Sequence, residues 1–583
     1  MQAMTLASAV VLAPALALFL GLVVVGLVGA CRLPGRPARW IGLPATACAL
    51  GMAVRLWLLA RSGALLFDVV QPPTTVGLAI GGRLDVVAGV SLVAALAVGL
   101  TSIDRGTTEP RAAEVAALLG SLLLAVGLLL VDNIAIVAEL WAALVLVAAG
   151  GSIAARHVDV ALSWMSLACC GVPALVLSGA TLTASSGGGA SLVGAPGVSS
   201  GWAVFSLAAV GALSAGITPL NAWLDRSADS GVVTLIADAL LPLAGFYLAA
   251  RAVGLVGAGG STGLTVLLMV AGFWGIADAA HAAWTAGDHS AVSRAAGRGE
   301  CGLAFVALAI GTQPAIAAAL FLTVFGVLAR TLARTAGPDW LGRVGWASMA
   351  GLPPLPGFAA RWLIVVAAFA VGDWLLGLAV GVAALVLDLG LFGSISIGRP
   401  GDARSAASDE VEPTAAQGVG QELVSRRDAA TIDRGTAAAS KLPSDVRLSA
   451  RGLKFFARRA TAWPRVAIAG VLVLAGLAPA RWLLATLLPV AAMPGRTAPT
   501  ALLPATLLAV LVAVLPILVA GIAVRPWLSP PRQEISRTIQ ERAWDVVERS
   551  AERTAELSRV VEGRYNLAFG FLVVVAAAFA LVR

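Results

Sequence analysis

Two apolar stretches that are broken by proline decide the fold. The first reads Ala-Gly-Ile-Thr-Pro-Leu-Asn-Ala-Trp-Leu at residues 215–224, and the second reads Gly-Leu-Pro-Pro-Leu-Pro-Gly-Phe at residues 351–358. Proline removes one backbone N–H and thereby frees a carbonyl, which hydrocarbon tolerates only against protein or water. Paired breaks in two halves of a membrane protein therefore predict an ion or substrate path near the bilayer midplane. The helix breaks are expected at Pro219, Pro353 and Pro354.

The composition predicts a polytopic membrane protein. Of the 583 residues, 59% are hydrophobic and 12% are charged, and the mean hydropathy is +0.91. Nearly uncharged windows of about 20 residues, long enough to cross a bilayer, recur along the chain. We expect an all-α fold of about 16 transmembrane helices, with the two Pro-broken helices in inverted-repeat halves. The expected helices span 5–30, 39–60, 82–103, 112–131, 133–153, 158–183, 201–224, 231–254, 262–284, 291–312, 314–335, 343–370, 372–393, 463–488, 501–524 and 565–582.

Arginines in the connections between these helices predict the orientation. They cluster in alternate connections, as at residues 32–39 after the first helix, whereas the connection at 184–200 is uncharged. Because cytoplasmic loops are enriched in Lys and Arg, both termini are expected on the outer side of a prokaryotic plasma (inner) membrane. The net charge of +8 then reflects orientation rather than nucleic-acid binding. The loop charges further along the chain are assigned to Arg226, Arg294, Arg298, Arg330, Arg334 and Arg343.

The sequence lacks the patterns of cofactor sites. Its five cysteines have neither ligand spacing nor histidine neighbours, which disfavours a metal site and a disulfide framework. There is no nucleotide-binding loop, dinucleotide fingerprint or nucleophile elbow. We therefore expect no cofactor, no metal and no catalytic redox site in this chain.

The chain is a membrane region interrupted by two polar segments in its C-terminal third. The polar segment at 396–462 is expected to be a cytoplasmic linker, because it has too little apolar surface to fold alone. The segment at 531–562 has apolar residues at helical spacing and predicts an amphipathic helix roughly 50 Å long. That helix either lies on the membrane surface or acts as a lateral strut along neighbouring subunits. The expected divisions are N-terminal transmembrane helices 1–110, two helix repeats 111–254 and 255–395, the linker 396–462, C-terminal transmembrane helices 463–530, the lateral helix 531–562 and a final transmembrane helix 563–583.

Ionisable residues inside transmembrane helices are functional candidates, because burying charge in a membrane is costly. Glu139, in the fifth helix, is the foremost of them. Its carboxyl could exchange protons near neutral pH unless a cation pairs with it. The alternative is a structural carboxyl that hydrogen-bonds to a neighbouring helix.

Further candidates lie in the later helices. Asp238 lies in the eighth helix, and Asp278 and His281 are spaced to form a local pair on one face of the ninth. Glu300 opens the tenth helix, as part of a proton path or as a loop ion pair. Arg361 directly follows the second helix break, where it is either buried or extends to the interface. Asp388 in the thirteenth helix is a weaker candidate of the same kind.

These motifs resemble the antiporter-like, proton-translocating subunits of respiratory complex I, membrane-bound hydrogenases, formate hydrogenlyase and Mrp cation/proton antiporters. The resemblance covers about residues 80–395. Residues 138–141 resemble the segment with the family's key carboxylate, which implies that role for Glu139. The family's Pro-broken and Tyr-to-Arg motifs resemble 214–224 and 245–251, and its Gly-x-Pro-Pro-x-x-Gly-Phe-x-x-Lys motif resembles 351–361 without a gap. In the family's longest members, a lateral helix also precedes a final transmembrane helix.

The chain departs from the family at the channel lysines. Arg361 replaces the lysine of the twelfth helix, and a guanidinium does not release its proton. Of the 40 basic residues only two are lysines, Lys441 and Lys454, and neither lies before the linker. The other positions carry Ser214 for the seventh-helix lysine, Asn221 for the motif histidine, Leu243 for the eighth-helix lysine, Ser290 for a cytoplasmic lysine, and Ala329 or Arg330 for the eleventh-helix lysine.

The resemblance implies a membrane subunit of a complex-I-like or hydrogenase-like assembly that translocates protons by an altered path or serves as a scaffold. The alternative is a subunit of a cation/proton antiporter or of an ion-coupled uptake complex, for example for inorganic carbon. The expected partners are other membrane subunits, the lipid bilayer, and protons or monovalent cations, and no nucleic acid.

Overall fold

The computed structural model describes the membrane region up to residue 395 with short gaps, and one later helix. The described residues are 4–31, 35–60, 65–70, 80–104, 112–186, 201–217, 231–256, 261–286, 289–336, 340–353, 355–371, 374–395 and 463–477. The linker at 396–462, the lateral helix at 531–562 and the helices expected at 501–524 and 565–582 lie outside them. The sixteen-helix count therefore stays a prediction.

Fifteen helices form the described part of the fold. They are α1 Met4–Ala30, α2 Gly35–Ala60, α3 Val86–Asp104, α4 Ala112–Leu130, α5 Ile134–Ala154, α6 Val158–Ser186, α7 Gly201–Ser214, α8 Gly231–Val256, α9 Thr262–Thr285, α10 His289–Ile310, α11 Gln313–Ala336, α12 Trp340–Met349, α13 Pro356–Ala370, α14 Trp374–Ile395 and α15 Trp463–Leu477. Nine helices in the described part of the chain are long and apolar enough to cross a membrane, namely α1 to α6, α8, α9 and α11. Shorter apolar segments are α7, α13, Trp374–Asp388 of α14 and Pro464–Ala475 of α15.

The described part of the fold is all-helical apart from one short hairpin. Strands β1, Leu65–Val70, and β2, Ile80–Leu84, form an antiparallel pair between α2 and α3, with Leu65 opposite Leu84. The first strand contains Phe and two Val residues, which favour strands. At six residues it is also far too short to cross a bilayer.

Both helix breaks begin with the same backbone motif. After α7 the chain turns at Gly216, which has a φ of 69°, and the N–H groups of Gly216 and Ile217 donate to Leu213 and Ala212. This is the glycine-terminated helix end known as the Schellman motif, in which a left-handed residue closes the last turn. Pro219 and Asn221 lie just beyond, outside the described residues.

The second break repeats that motif and separates α12 from α13. Gly351 has a φ of 66°, and the N–H groups of Gly351 and Leu352 donate to Ser348 and Ala347. The new helix begins at Pro356, a position where the missing N–H costs nothing. The Pro-broken helix expected over 343–370 therefore consists of two helices, α12 and α13.

Helices α3, α8 and α11 form the core, and α1, α2 and α6 are the most exposed of the long helices. Glycines allow very close contact between neighbouring helices. A Cβ on Gly211 of α7 would lie 2.8 Å from the carbonyl oxygen of Gly245 in α8. Small residues at such crossings are the usual means of packing membrane helices. The core around α8 and α11 is therefore dense, and the charges inside it are enclosed by protein.

Candidate functional site

A buried ion pair lies at the centre of the described helices. The Arg330 guanidinium of α11 contacts the Glu300 carboxylate of α10, and their side chains are only 3% and 1% exposed. Two glycines leave room for this pair, because a Cβ on Gly326 would collide with the Glu300 carboxylate and one on Gly297 would crowd Arg330. The two charges can be buried inside the protein because each is paired with the other.

A second pair adjoins the first on α8. Asp238 forms an ion pair with Arg334, one helical turn after Arg330 on α11. Asp238 lies in a π-helical turn, Ile236–Leu240, and Pro242 has no N–H to offer the Asp238 carbonyl four residues earlier. Arg330 takes that carbonyl instead, with its Nη2 atom 3.3 Å from the oxygen. The irregular turn thus connects both arginines of α11 to one residue of α8.

A third pair lies at the second helix break. Arg361 of α13 contacts the Asp388 carboxylate of α14 and donates to the carbonyl of Met349 at the end of α12. Arg361 also interacts electrostatically with Glu300, which links this pair to the central one. Gly351 lies against the Arg361 guanidinium, since a Cβ there would be 2.6 Å from its Nη1 atom.

We call these three pairs the arginine array, which comprises Asp238, Arg334, Arg330, Glu300, Arg361 and Asp388. Three carboxylates and three guanidiniums give the array no net charge. Because arginine keeps its proton, a proton that enters the array can reside only on a carboxylate, and protonation would release the arginine paired with it. The array can therefore couple proton occupancy to the position of its arginines.

Two further pairs flank the array. Arg251 of α8 donates to Asp85 at 2.6 Å, and its guanidinium lies 4.7 Å from the centre of the Tyr247 ring. Arg298 of α10 is 3.0 Å from the Asp278 carboxylate of α9. Asp85 also accepts the backbone N–H of Ala88 and so caps the start of α3. The flanking pairs connect α3 and α9 to the helices of the array.

The structure brings three of the expected site residues together, namely Asp238, Glu300 and Arg361. Glu300 does not open its helix in a connection, as one alternative had it, but lies buried midway along α10. Asp278 pairs with Arg298, and His281 is exposed on α9.

The remaining expected positions lie apart from the array. Glu139 is exposed on α5, and it forms no hydrogen bond or ion pair with another candidate among the described residues. Leu243 is buried in α8, Ser290 accepts a hydrogen bond from Arg294, and Pro353 is exposed at the second break. Pro219, Asn221 and Pro354 lie outside the described residues. The proposed part of Glu139 in a proton path stays a prediction.

Solved structures of respiratory and antiporter complexes share this fold. A chain of the Mrp complex from Dietzia sp. DQ12-45-1b matches with a TM-score of 0.64 and 17% identity, over 86% of this chain and 100% of that chain. A chain of the archaeal membrane-bound sulfane sulfur reductase matches with a TM-score of 0.57 and 18% identity, over 67% of this chain and 87% of that chain. A chain of respiratory complex I from Thermus thermophilus with bound NADH matches with a TM-score of 0.60 and 16% identity, over 83% and 99%.

The chain has the antiporter-like fold. No protein-family model matches the sequence, and no curated protein does. At 16–18% identity the similarity establishes the arrangement of the helices, whereas the chemistry depends on the residues of this chain.

The sequence does not predict the ion pairs that the arginines of this antiporter-like fold form. It assigns Arg298, Arg330 and Arg334 to loop charge near helix ends, and offers Arg330 as one of two positions for the family's eleventh-helix lysine. In the structure all three lie inside α10 or α11 and pair with acids. One signal was available, since Arg330 and Arg334 are four residues apart and so share a helix face. Pro242, four residues after Asp238, was the second signal, because it frees the carbonyl that Arg330 binds.

A neutral contact occupies the position of the expected seventh-helix lysine. The indole Nε1 of Trp141 in α5 donates to the Ser214 Oγ at 2.9 Å, and both side chains are buried. The Ser214 hydroxyl in turn donates to the carbonyl of Val210. A short polar side chain that accepts an indole N–H therefore lies at the position where the resemblance led us to expect a lysine.

Replacing Ser214 with alanine should destabilise the protein by about 1–3 kcal/mol, because the buried indole N–H would lose its acceptor. The free energy of unfolding in detergent micelles measures this effect. The control is Ser206→Ala on the same helix, because the Ser206 hydroxyl donates to the carbonyls of Trp202 and Ala203 within α7. Equal effects of the two substitutions would contradict a role for the Trp141 contact.

Proposed function

We propose that this chain is the antiporter-like membrane subunit of a complex-I-like or membrane-bound hydrogenase-like respiratory assembly, and that protons move through it along the arginine array. In this proposal, electron transfer belongs to other subunits. The single observation that carries the proposal is the line of three ion pairs across α8, α10, α11, α13 and α14, beside the second helix break.

The cost of buried charge supports a functional array. Removing a carboxylate or guanidinium from water costs several kcal/mol even when the group is paired. Well-packed apolar side chains of similar size would hold the same helices together at no such cost. Six charges at adjoining positions in a membrane region are therefore best explained by ion movement. Carboxylates that alternate between arginine-bound and protonated states replace the lysines of the family.

The second candidate function is a subunit of a cation/proton antiporter or of an ion-coupled uptake complex, for example for inorganic carbon. The Mrp chain favours it, because that chain is matched over its whole length and with the higher TM-score of 0.64. The proteins that co-purify distinguish the two functions. Subunits with Fe–S clusters, a [NiFe] site or a quinone site support the respiratory assembly, and their absence together with sodium-dependent flux supports the antiporter.

Three finer features belong to the same proposal. The protein lies in the plasma (inner) membrane of a prokaryote with both termini on the outer side, as the arginines in alternate connections indicate. The lateral helix at 531–562 tethers neighbouring subunits. Asp278 and His281 are additional proton path candidates.

Replacing Asp238 with asparagine should lower proton flux by at least about tenfold, because an amide cannot carry the proton that would release Arg334. Flux is measured in proteoliposomes that contain the purified complex, from the quenching of a pH-sensitive dye after the complex is energised. The matched control is Asp104→Asn, since Asp104 pairs with Arg39 at 2.6 Å but lies outside the array.

The expected outcome is loss of flux in Asp238→Asn and near-normal flux in Asp104→Asn, with both complexes fully assembled. Unchanged flux in Asp238→Asn would contradict conduction through the array and leave a scaffold role. Equal loss in both variants would indicate a general structural effect instead.

A further inference from the structure

The outer face of α5 carries a carboxylate within the membrane-spanning part of the helix. Glu139 is exposed and lies five residues after Ile134, the first residue of α5, which is about 7.5 Å along the helix axis. Leu146 and Ile153 continue the same face at seven-residue steps and are 49% and 59% exposed. No described residue forms a hydrogen bond or ion pair with the Glu139 carboxylate. A carboxylate facing hydrocarbon is costly, so this face requires a partner.

The neighbouring face of α6 has a second polar group that needs a partner. Pro173 lies inside α6 and has no N–H to offer the carbonyl of Cys169 four residues earlier, and both residues are exposed. An exposed carbonyl without its helical N–H is unfavourable in hydrocarbon. The α6 face around it is otherwise apolar, with Leu162, Met165 and Val176 exposed.

The two polar groups lie at the same depth. Helices α5 and α6 run in opposite directions, and a Cβ on Gly171 would meet the ring of Trp141, whereas one on Gly179 would meet Ile134. Glu139 lies between Trp141 and Ile134, so it is level with residues 172–174 of α6. One donor-bearing side chain placed at this level could reach both the carboxylate and the free carbonyl.

We propose that this α5–α6 face docks a membrane-spanning helix of a second subunit, which carries a lysine or arginine opposite Glu139. The cation forms an ion pair with the Glu139 carboxylate and donates to the Cys169 carbonyl, and the apolar residues of the face cover the rest of the helix. This inference rests on the proposed function in one respect, that the protein belongs to a multi-subunit membrane assembly.

The chain's own transmembrane stretches do not favour an internal cation. Those expected at 501–524 and 565–582 contain no lysine or arginine, and Arg481 follows α15, whose described residues pack on α3, α11, α12 and α13. A second copy of the chain packed face to face would not supply it either, because 134–154 and 158–182 also lack both residue types. Such self-association would bring two carboxylates together, which is unfavourable without an intervening cation. Charge complementarity therefore favours a different subunit.

Photo-crosslinking tests the occupant of the face. A benzoylphenylalanine in place of Leu146 is irradiated in the full-length protein in its own membrane, and adducts are analysed by mass spectrometry. We expect an adduct to another membrane subunit, in a transmembrane segment that carries lysine or arginine about two turns from the crosslink, because Leu146 lies seven residues from Glu139. The same probe in place of Val270, which is exposed on α9, is the control and should not yield that adduct.

Three outcomes would overturn the docking site. These are adducts to lipid alone, an adduct within the chain, and an adduct at twice the 58.7 kDa mass of one chain. A crosslinked partner segment without a basic residue would also overturn the proposed ion pair.

A charge reversal provides an independent arm. Glu139→Lys should lower the amount of the crosslinked subunit that co-purifies by at least tenfold, whereas Glu114→Lys, at an exposed position in the first turn of α4, should leave it unchanged. If wild-type protein purifies without any other membrane subunit, the proposed function itself fails. If the complex assembles normally with Glu139→Lys, and the probe in place of Leu146 finds only lipid, the docking site alone fails.

Discussion

Replacing Arg330 with methionine should destabilise the protein by about 3–5 kcal/mol, because the Glu300 carboxylate would remain buried without its counter-charge. Arg330 is 2% exposed and contacts both Glu300 and the carbonyl of Asp238, so one substitution removes two interactions of the array. The measurement is the free energy of unfolding in mixed micelles, from titration with a denaturing detergent.

The double variant Arg330→Met with Glu300→Leu is the decisive comparison. Removing both charges of a buried pair is often nearly neutral, because the lost attraction is offset by the lost desolvation cost. We therefore expect the double variant to recover most of the stability that Arg330→Met loses. Proton flux should stay low in both variants, since the central carboxylate is either unpaired or absent. Additive destabilisation in the double variant would show that the pair is not the source of the effect.

Most of the membrane architecture could be predicted from the sequence. Uninterrupted apolar windows define the helices up to residue 395, because a chain in hydrocarbon must satisfy its backbone within each segment. The break at Gly351 was expected from its prolines, and the left-handed glycine before them ends α12. The pair of strands between α2 and α3 was not expected, since the region carries no apolar window that demands a membrane helix.

The acids of the site could be predicted, but their partners could not. A carboxylate such as Asp238 is conspicuous in an apolar helix, whereas Arg334 near the end of α11 looks like ordinary loop charge. Whether a terminal arginine extends to water or turns inward depends on an acid of another helix, and a single sequence does not give that distance. The same limit applies to the exposed position of Glu139. A rotation of α5 by one residue position would move this side chain from the outer face to the core, and a single sequence does not fix that rotation.

Replacing Gly351 with alanine should destabilise the protein by about 3–5 kcal/mol and abolish most proton flux. The backbone contributes about 1–2 kcal/mol of this loss, because Gly351 has a φ of 66° and a side chain is strained there. The larger part arises because the added Cβ would lie 2.6 Å from Nη1 of Arg361. Asp388 and the carbonyl of Met349 hold that guanidinium, so it cannot move aside without breaking a contact.

Gly311→Ala separates these two contributions. Gly311 has a φ of 69°, but a Cβ there would meet only the carbonyl oxygens of Leu308 and Ala309 at 3.8 Å. It should therefore lose only the backbone part, about 1–2 kcal/mol, and retain its proton flux. Unfolding titrations and proteoliposome flux measurements on the two variants provide the comparison. If Gly351→Ala loses no more than Gly311→Ala in both measurements, the second helix break does not depend on the position of Arg361. A larger loss of stability and flux in Gly351→Ala would instead show that the helix break and the arginine array depend on each other. The glycine that ends α12 is also the residue that leaves space for the Arg361 guanidinium.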